Sequence, residues 1–215
     1  MPMWNLDNRV RSAMVSDALD TLGIRHQAMD ISVRPLKQGM RIVGLAATAQ
    51  FVAESEFDEK DPYGPAIDYL DTLAPGEVAA IATGGLCLSA FWGELFSAAA
   101  KGRGAHGVVT DGPLRDTEQI LAIDFPAFGQ ASRPYDYKGR MVLSSVRKEI
   151  TCGGVKISSG DGIIADSDGV VVVPAYLLEQ VSEIANARAL AEKTVLKDLL
   201  AGKSVREVWN SYGIL

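Results

Sequence analysis

Three features of the chain predict one α/β domain built on a mixed central sheet. Between residues 77 and 130, short apolar runs alternate with helical periodicity, the pattern of a βαβ unit with a buried parallel element. From 141 to 173 the pattern changes to brief β-branched runs cut by glycine turns, which predicts a β-rich segment. Beyond Pro174, helical spacing continues to about Leu200 and predicts a long C-terminal helix. With 215 residues, 47% hydrophobic and 22% charged, the chain can bury one substantial core. No repeat or low-complexity linker divides it. Residues 1–215 therefore read as a single domain, with an N-terminal helix at 8–22 and a helical extension at 175–215.

Each element has a local reason. Val10, Met14, Ala18 and Leu22 recur at helical spacing, and Gly23 stops that helix. GMRIVGLAATAQFVA (39–53) is strand-like, its Gly44 and alanines suited to close packing. The acidic stretch 54–64 predicts a solvated loop closed by Pro62 and Gly64. PAIDYLDTL (65–73) predicts a short helix, and Pro75-Gly76 a turn into the strand EVAAIAT (77–83). After Gly84-Gly85 a helix is expected from about Ser89 to Lys101. HGVVTD (106–111) predicts a buried strand, TEQILAI a short helix and FPAFGQ (125–130) another strand. MVLSSVRKEI, VKISS, GIIAD and GVVVVP read as strands, with Asp168-Gly169 suited to a tight hairpin. SVREVWNSYGIL closes the chain.

The formal charge of −6 argues against a binder of nucleic-acid backbones. Two cysteines, Cys87 and Cys152, lack metal-type spacing and suggest a reducing compartment. MPMWNLDNRV has no apolar core for a signal peptide, and no run approaches the ~18 apolar residues of a membrane span. A cytoplasmic location, with neither nucleic acid nor membrane as partner, is the expectation.

The residues that carry chemistry lie between 84 and 116. A glycine pair between strand and helix lets backbone amides approach an anion, although it also serves as a plain turn. Glu94 lies early in the next helix, where an acid is favourable with or without a function. Arg115 and Asp116 follow a buried strand, at the strand-to-helix edge where α/β proteins hold ligands. Asp116 is equally suited to cap the helix at Thr117, and Arg115 to pair with Glu118. Convergence strengthens the set. The two strands are consecutive in a βαβ unit, so their C-terminal ends share one sheet edge and these groups face one crevice.

WGE, twenty residues, then Arg-Asp resembles the motif of the 4-hydroxy-4-methyl-2-oxoglutarate aldolases, class II pyruvate aldolases of the RraA-like family. VVTDGPLRD, FPAFGQ and DSDGVVVVP are similar to that family too, and the likeness runs from about residue 10 to 200. It implies an RraA-like fold of the swivelling β/β/α type and cleavage of keto-acids to pyruvate, with oxaloacetate decarboxylation through the same enolate. It implies Asp116 as direct ligand of Mg²⁺ or Mn²⁺, Glu94 as holder of metal-bound waters and Arg115 as contact of the keto oxygen and carboxylate. Backbone near Gly85, Leu86, Trp92, Gly93 and Leu95 would receive the carboxylate. It also implies a homotrimer or dimer of trimers, in which a neighbouring subunit supplies an acid near the metal; Glu192 matches best.

Other residues read as structural. His106 opens a buried strand, His26 stands alone and Cys87 has no helper histidine nearby. Asp161-Gly162 and Asp166-Ser167-Asp168-Gly169 lack calcium-loop spacing. Trp92 is expected to pack the helix start and Trp209 to anchor the tail at a core or interface. Two alternatives remain: a non-catalytic regulator of ribonuclease activity that works by protein binding, and a lyase of the same family acting on another keto-acid or a sugar acid. A methyltransferase is disfavoured, since no glycine-rich motif for S-adenosylmethionine occurs. Glu94 favours the enzyme, because regulators of this family tend to lack that acid.

Overall fold

The computed structural model describes residues 4–54 and 56–215; Met1–Met3 and Ser55 of the acidic loop lie outside the described residues. The first helix, α1 (Ser12–Thr21), is shorter than the expected 8–22. The reason lies upstream: Asp7 and Val10 close a turn (2.9 Å), and the helix start is held from outside. Ser12 donates its amide and its hydroxyl to buried Asp166, each at 2.7 Å. Gly23, at φ 74°, ends the helix as expected.

Eight strands form the main sheet. In chain order they are β1 (Arg34–Pro35), β2 (Ile42–Ala53), β3 (Glu77–Ala82), β4 (Gly107–Thr110), β6 (Ala127–Gly129), β8 (Met141–Val146), β11 (Gly162–Asp166) and β12 (Gly169–Val173). The spatial order is β1-β6-β4-β3-β2-β11-β12, with β8 also on β2. The β2, β3, β4 and β6 pairings are parallel, and the remainder antiparallel. This is the mixed sheet expected. Its edges approach each other, since Ala28 bridges Val171 and Arg34 donates to the Asp168 carbonyl (2.9 Å). Two small pairs lie outside it: β5 (Pro113–Leu114) with β7 (Ala131–Ser132), and the hairpin β9 (Ile150–Cys152) with β10 (Val155–Ile157).

Val78 to Ala82 are all fully buried because both sheet faces are covered, which is why β3 reads as a continuous apolar run. On one face lie α2 (Gly64–Asp71), α3 (Glu94–Gly102) and α4 (Thr117–Ala122), packed through Phe51, Leu70, Trp92, Ile120 and Phe125. The β9–β10 hairpin covers the other with Ile150, Val155 and Ile157. Each such side chain contributes about 1.5–3 kcal/mol of transfer free energy. The long helix α5 (Leu178–Leu200) packs with α1 on β11 and β12, and α6 (Val205–Tyr212) closes the chain behind a Ser204/Glu207 capping box. Trp209, on α6, is 45% exposed, so it does not anchor the tail in this chain's core. Among the described residues, no helix is long and apolar enough to cross a membrane.

Candidate active site

The parallel register pairs Val78 with Gly107 and Ile81 with Thr110, so β3 and β4 end side by side. The segments leaving those ends build the crevice. The helix expected from Ser89 begins five residues later. Ser89–Gly93 is extended instead, with Ala90 donating to the Tyr135 carbonyl (2.9 Å) and Trp92 bridging Leu114. That tertiary pairing overrides the helical propensity of the segment. Gly93 is the extended N-cap of α3, and Glu94 is the first helical residue.

This start is fixed from below. Trp92 is fully buried, its indole nitrogen donates to Ser97 Oγ (2.9 Å), and Ser97 Oγ donates to the Gly93 carbonyl (2.9 Å). Trp92 thus packs the helix start. A Cβ at Gly93 would force Asp116 Oδ2 to move and would lie 2.9 Å from Arg115 Cγ, so a side chain there would disturb both residues.

Asp116 occupies the N-cap position of α4 without capping it. Its backbone is left-handed (φ 52°, ψ 40°), and its side chain accepts no bond from that helix. Oδ2 instead receives the Glu94 amide (3.3 Å) and lies 3.5 Å from Arg115 Nε. Arg115 does not pair with Glu118; its Nη1 lies 3.0 Å from Asp136 Oδ1. Asp116 Oδ1 and the Glu94 carboxylate have no protein partner among the described residues. Glu94, Arg115 and Asp116 are therefore brought together.

The other expected residues are placed variously. Gly85 donates its amide to Asp111 (3.1 Å), so that donor is already engaged within the chain. Leu86 and Leu95 are 39% and 77% exposed. The amide of Leu95 belongs to the first helical turn, where donors lack intrahelical acceptors. Glu192 lies on α5, held by Arg188 (2.7 Å), which also pairs with Asp17 (3.0 Å); it has no bond to the crevice of its own chain. His106 sits at the opposite, N-terminal edge of β4 with Nδ1 on the Val43 carbonyl (2.6 Å). Cys87 lies 3.7 Å from Gln130 Oε1.

Three residues escaped the sequence. Asp111, just past β4, is 3% exposed and accepts from Thr83 N (2.6 Å), Thr83 Oγ1 (2.9 Å), Gly85 N (3.1 Å) and Gly153 N (3.3 Å). An acid directly after a fully apolar strand was the signal available for it. Asp136 and Tyr63 carried none, since they meet Arg115 only in three dimensions.

A family model described as "RraA-like: Aldolase/RraA" matches residues 12–172. The chain belongs to the RraA-like family. Protein DlpA of Legionella pneumophila is 30% identical over 201 residues, which are 94% of this chain and only 32% of DlpA. The Halalkalibacterium halodurans protein named "Putative 4-hydroxy-4-methyl-2-oxoglutarate aldolase" is 30% identical over 179 residues, 83% of this chain and 80% of that one. Among solved structures, Streptomyces coelicolor RraAS2, described as an unusual member of the RNase ES inhibitor RraA family, has TM-score 0.76 at 26% identity. The match covers 87% of this chain and 91% of that chain. The mixed sheet with its long C-terminal helix is thus the RraA-like fold.

Asp116 and Glu94 carry hard oxygen donors, the ligand type that divalent cations such as magnesium take. Arg115 stands between the carboxylates of Asp116 and Asp136, and Glu94 gives its amide to Asp116. Among the described residues no three His, Cys, Asp or Glu side chains gather as a cation cage. One or two carboxylates with retained waters is the arrangement magnesium favours. Asp116 Oδ1 and the Glu94 carboxylate are the oxygens that would hold such an ion.

Proposed function

We propose that this RraA-like protein is a divalent-metal-dependent carbon–carbon lyase that cleaves 4-hydroxy-2-keto-acids, of the 4-hydroxy-4-methyl-2-oxoglutarate type, to pyruvate, and decarboxylates oxaloacetate. The convergence of Glu94, Arg115 and Asp116, with unfilled carboxylate oxygens beside a fixed guanidinium, is the observation that carries this reading. The aldolase name of the Halalkalibacterium halodurans relative supports it.

The reaction makes three demands on the chain. The C4 hydroxyl must lose a proton as the C3–C4 bond breaks and C4 becomes a carbonyl. Glu94, its carboxylate unengaged, accepts that proton directly or through a water. The electron pair from the broken bond becomes the pyruvate enolate, and the free guanidinium donors of Arg115 face its oxygen and the adjacent carboxylate. Amides in the first turn of α3, such as that of Leu95, add partial positive charge for the same carboxylate. Glu94 then returns the proton to C3. A divalent cation, when bound, supplies Lewis-acid stabilisation of the enolate oxygen. Oxaloacetate loses carbon dioxide to give the same enolate and makes the same demands on Arg115.

Self-association belongs to this proposal. Leu196 and Leu200 on α5, with Trp209 on α6, are 58%, 80% and 45% exposed. A trimer or dimer of trimers would cover such residues and bring Glu192 of a neighbour towards the crevice. A second reading, a regulator acting by protein binding without chemistry, is supported by the likeness to RraAS2. Pyruvate release from 4-hydroxy-4-methyl-2-oxoglutarate and from oxaloacetate, with Mg²⁺, Mn²⁺ or chelator, separates the two. The lyase reading expects metal-dependent turnover that falls about 10³-fold in Asp116→Ala. Turnover that survives both chelator and substitution contradicts it. Failure to bind oxalate with either metal favours the regulator.

A further inference from the structure

We propose that Asp136, itself held by Tyr63, is a positioning residue that aims the guanidinium of Arg115 into the crevice; this rests on the lyase reading above. Arg115 comes from the turn after β5, Asp136 from the segment before β8, and Tyr63 from the end of the acidic loop before α2. Nothing local joins them. Asp136 Oδ1 forms an ion pair with Arg115 Nη1 (3.0 Å) and accepts the Tyr137 amide (2.8 Å), and Oδ2 accepts the Tyr63 hydroxyl. Both carboxylate oxygens are thereby occupied, which fixes the side chain in one orientation.

The anchor continues into the core. The Tyr63 ring meets Tyr137 edge to face (centroids 5.5 Å apart), and Tyr137 meets Phe51 in the same way (5.4 Å). Both Tyr137 and Phe51 are buried, 4% and 2% exposed. An exposed Arg–carboxylate pair contributes little to stability. Here both partners are partly sheltered, with side chains 32% and 29% exposed, and the acid is locked by two further donors. The hydrogen bond to Asp136 also pushes the Tyr63 phenol above its ordinary pKa.

The consequence for Arg115 is directional. Its Nε faces Asp116 and its Nη1 faces Asp136, so Nη2 is the nitrogen left for an incoming oxyanion. A free arginine would lose rotamer entropy on binding; one pinned beforehand has already lost it. The acidic loop, read from sequence as merely solvated, thus delivers a residue that acts on the crevice through Asp136.

A substitution series tests this, using Asp136→Ala, Asp136→Asn and Tyr63→Phe with and without Arg115→Ala. The asparagine oxygen stays beside Nη1 as a polar partner, and its amide can donate to the Tyr63 oxygen. The proposal expects kcat for pyruvate release to fall about 10²-fold in Asp136→Ala, with KM changed less, and largely to return in Asp136→Asn. Tyr63→Phe should fall about 10-fold, a smaller misplacement than deleting the anchor. In the Arg115→Ala background none of these changes should add a further loss, because Asp136 acts only through Arg115.

The Arg115 Nε–H resonance, assigned by Arg115→Lys, gives a readout free of substrate and metal. It should be sharp in the wild type and in Asp136→Asn, and exchange-broadened in Asp136→Ala. Equal sharpness in wild type and Asp136→Ala, or additive losses in the Arg115→Ala background, overturns the proposal. Broadening in Asp136→Ala while the wild type turns over no keto-acid leaves the anchoring intact and defeats the lyase reading alone.

Discussion

Asp111 and Asp116 stand five residues apart on the same strand-to-helix connection, and the chain treats them in opposite ways. Asp111 is buried, and four donors fill its oxygens, tying the end of β3 to the Gly84-Gly85 loop and to the β9–β10 turn. Asp116 has a side chain 43% exposed, a left-handed backbone, one long amide contact and one oxygen without a protein partner. A buried carboxylate must be satisfied or it is costly, so a filled one belongs to the scaffold. An exposed carboxylate with an unused oxygen remains able to accept a group from outside the chain, which is what the proposed lyase reading asks of Asp116. Residue type and position along the turn are the same in kind; only the accounting of donors distinguishes them.

The largest effect is expected at Asp111. Asp111→Ala leaves two backbone amides of the crevice loop and strand end, the Thr83 hydroxyl and the Gly153 amide without their acceptor. A stability loss of about 3 kcal/mol or more is expected in urea unfolding at fixed protein concentration. A loss confined to activity would make Asp111 part of the site rather than the scaffold. Gly93→Ala sharpens the other side, since its Cβ displaces Asp116 and Arg115 without touching Asp111. Pyruvate release should drop about 10²-fold while the unfolding midpoint scarcely moves. Unchanged turnover would show that the placement of Asp116 is loose.

The smallest effect concerns a third carboxylate, Asp198, which is half-buried and whose Oδ2 accepts from Lys203 Nζ and Tyr212 OH, each at 2.8 Å. The Lys203 and Tyr212 hydrogen bonds, in that order, hold its carboxyl below the usual aspartate range. A depressed folded-state pKa stabilises at pH above the unfolded value and ceases to do so as pH falls through the folded one. Trp209 fluorescence should therefore report loosening of α6 only below about pH 4. Asp198→Asn should show the loosened signal already at pH 7, with little further change on acidification.

Much of this was legible in the sequence, and the failures have physical causes. Alternation and apolar runs located the main strands, because periodicity reports burial directly. Glycine punctuation located the hairpin, where Asp166 pairs with Gly169 across Ser167-Asp168. The start of α3 was misplaced because Ser89–Gly93 is held extended by Tyr135 and Leu114, which lie far along the chain. The strands β1, β5 and β7 have two residues each, too few to show a period. Glu94, Arg115 and Asp116 were legible because one βαβ unit carries all three. Asp136 and Tyr63 were not, since Tyr63 reaches Asp136 across 73 positions of sequence.

Asp116 is proposed as the open carboxylate of a divalent-metal site. Titration of Mn²⁺, followed by electron paramagnetic resonance with and without oxalate, tests it on wild type and Asp116→Asn. The account predicts Mn²⁺ binding that oxalate tightens in the wild type, and an affinity at least about 10-fold weaker in Asp116→Asn with an unchanged fold. Equal Mn²⁺ affinity in the two proteins would contradict it.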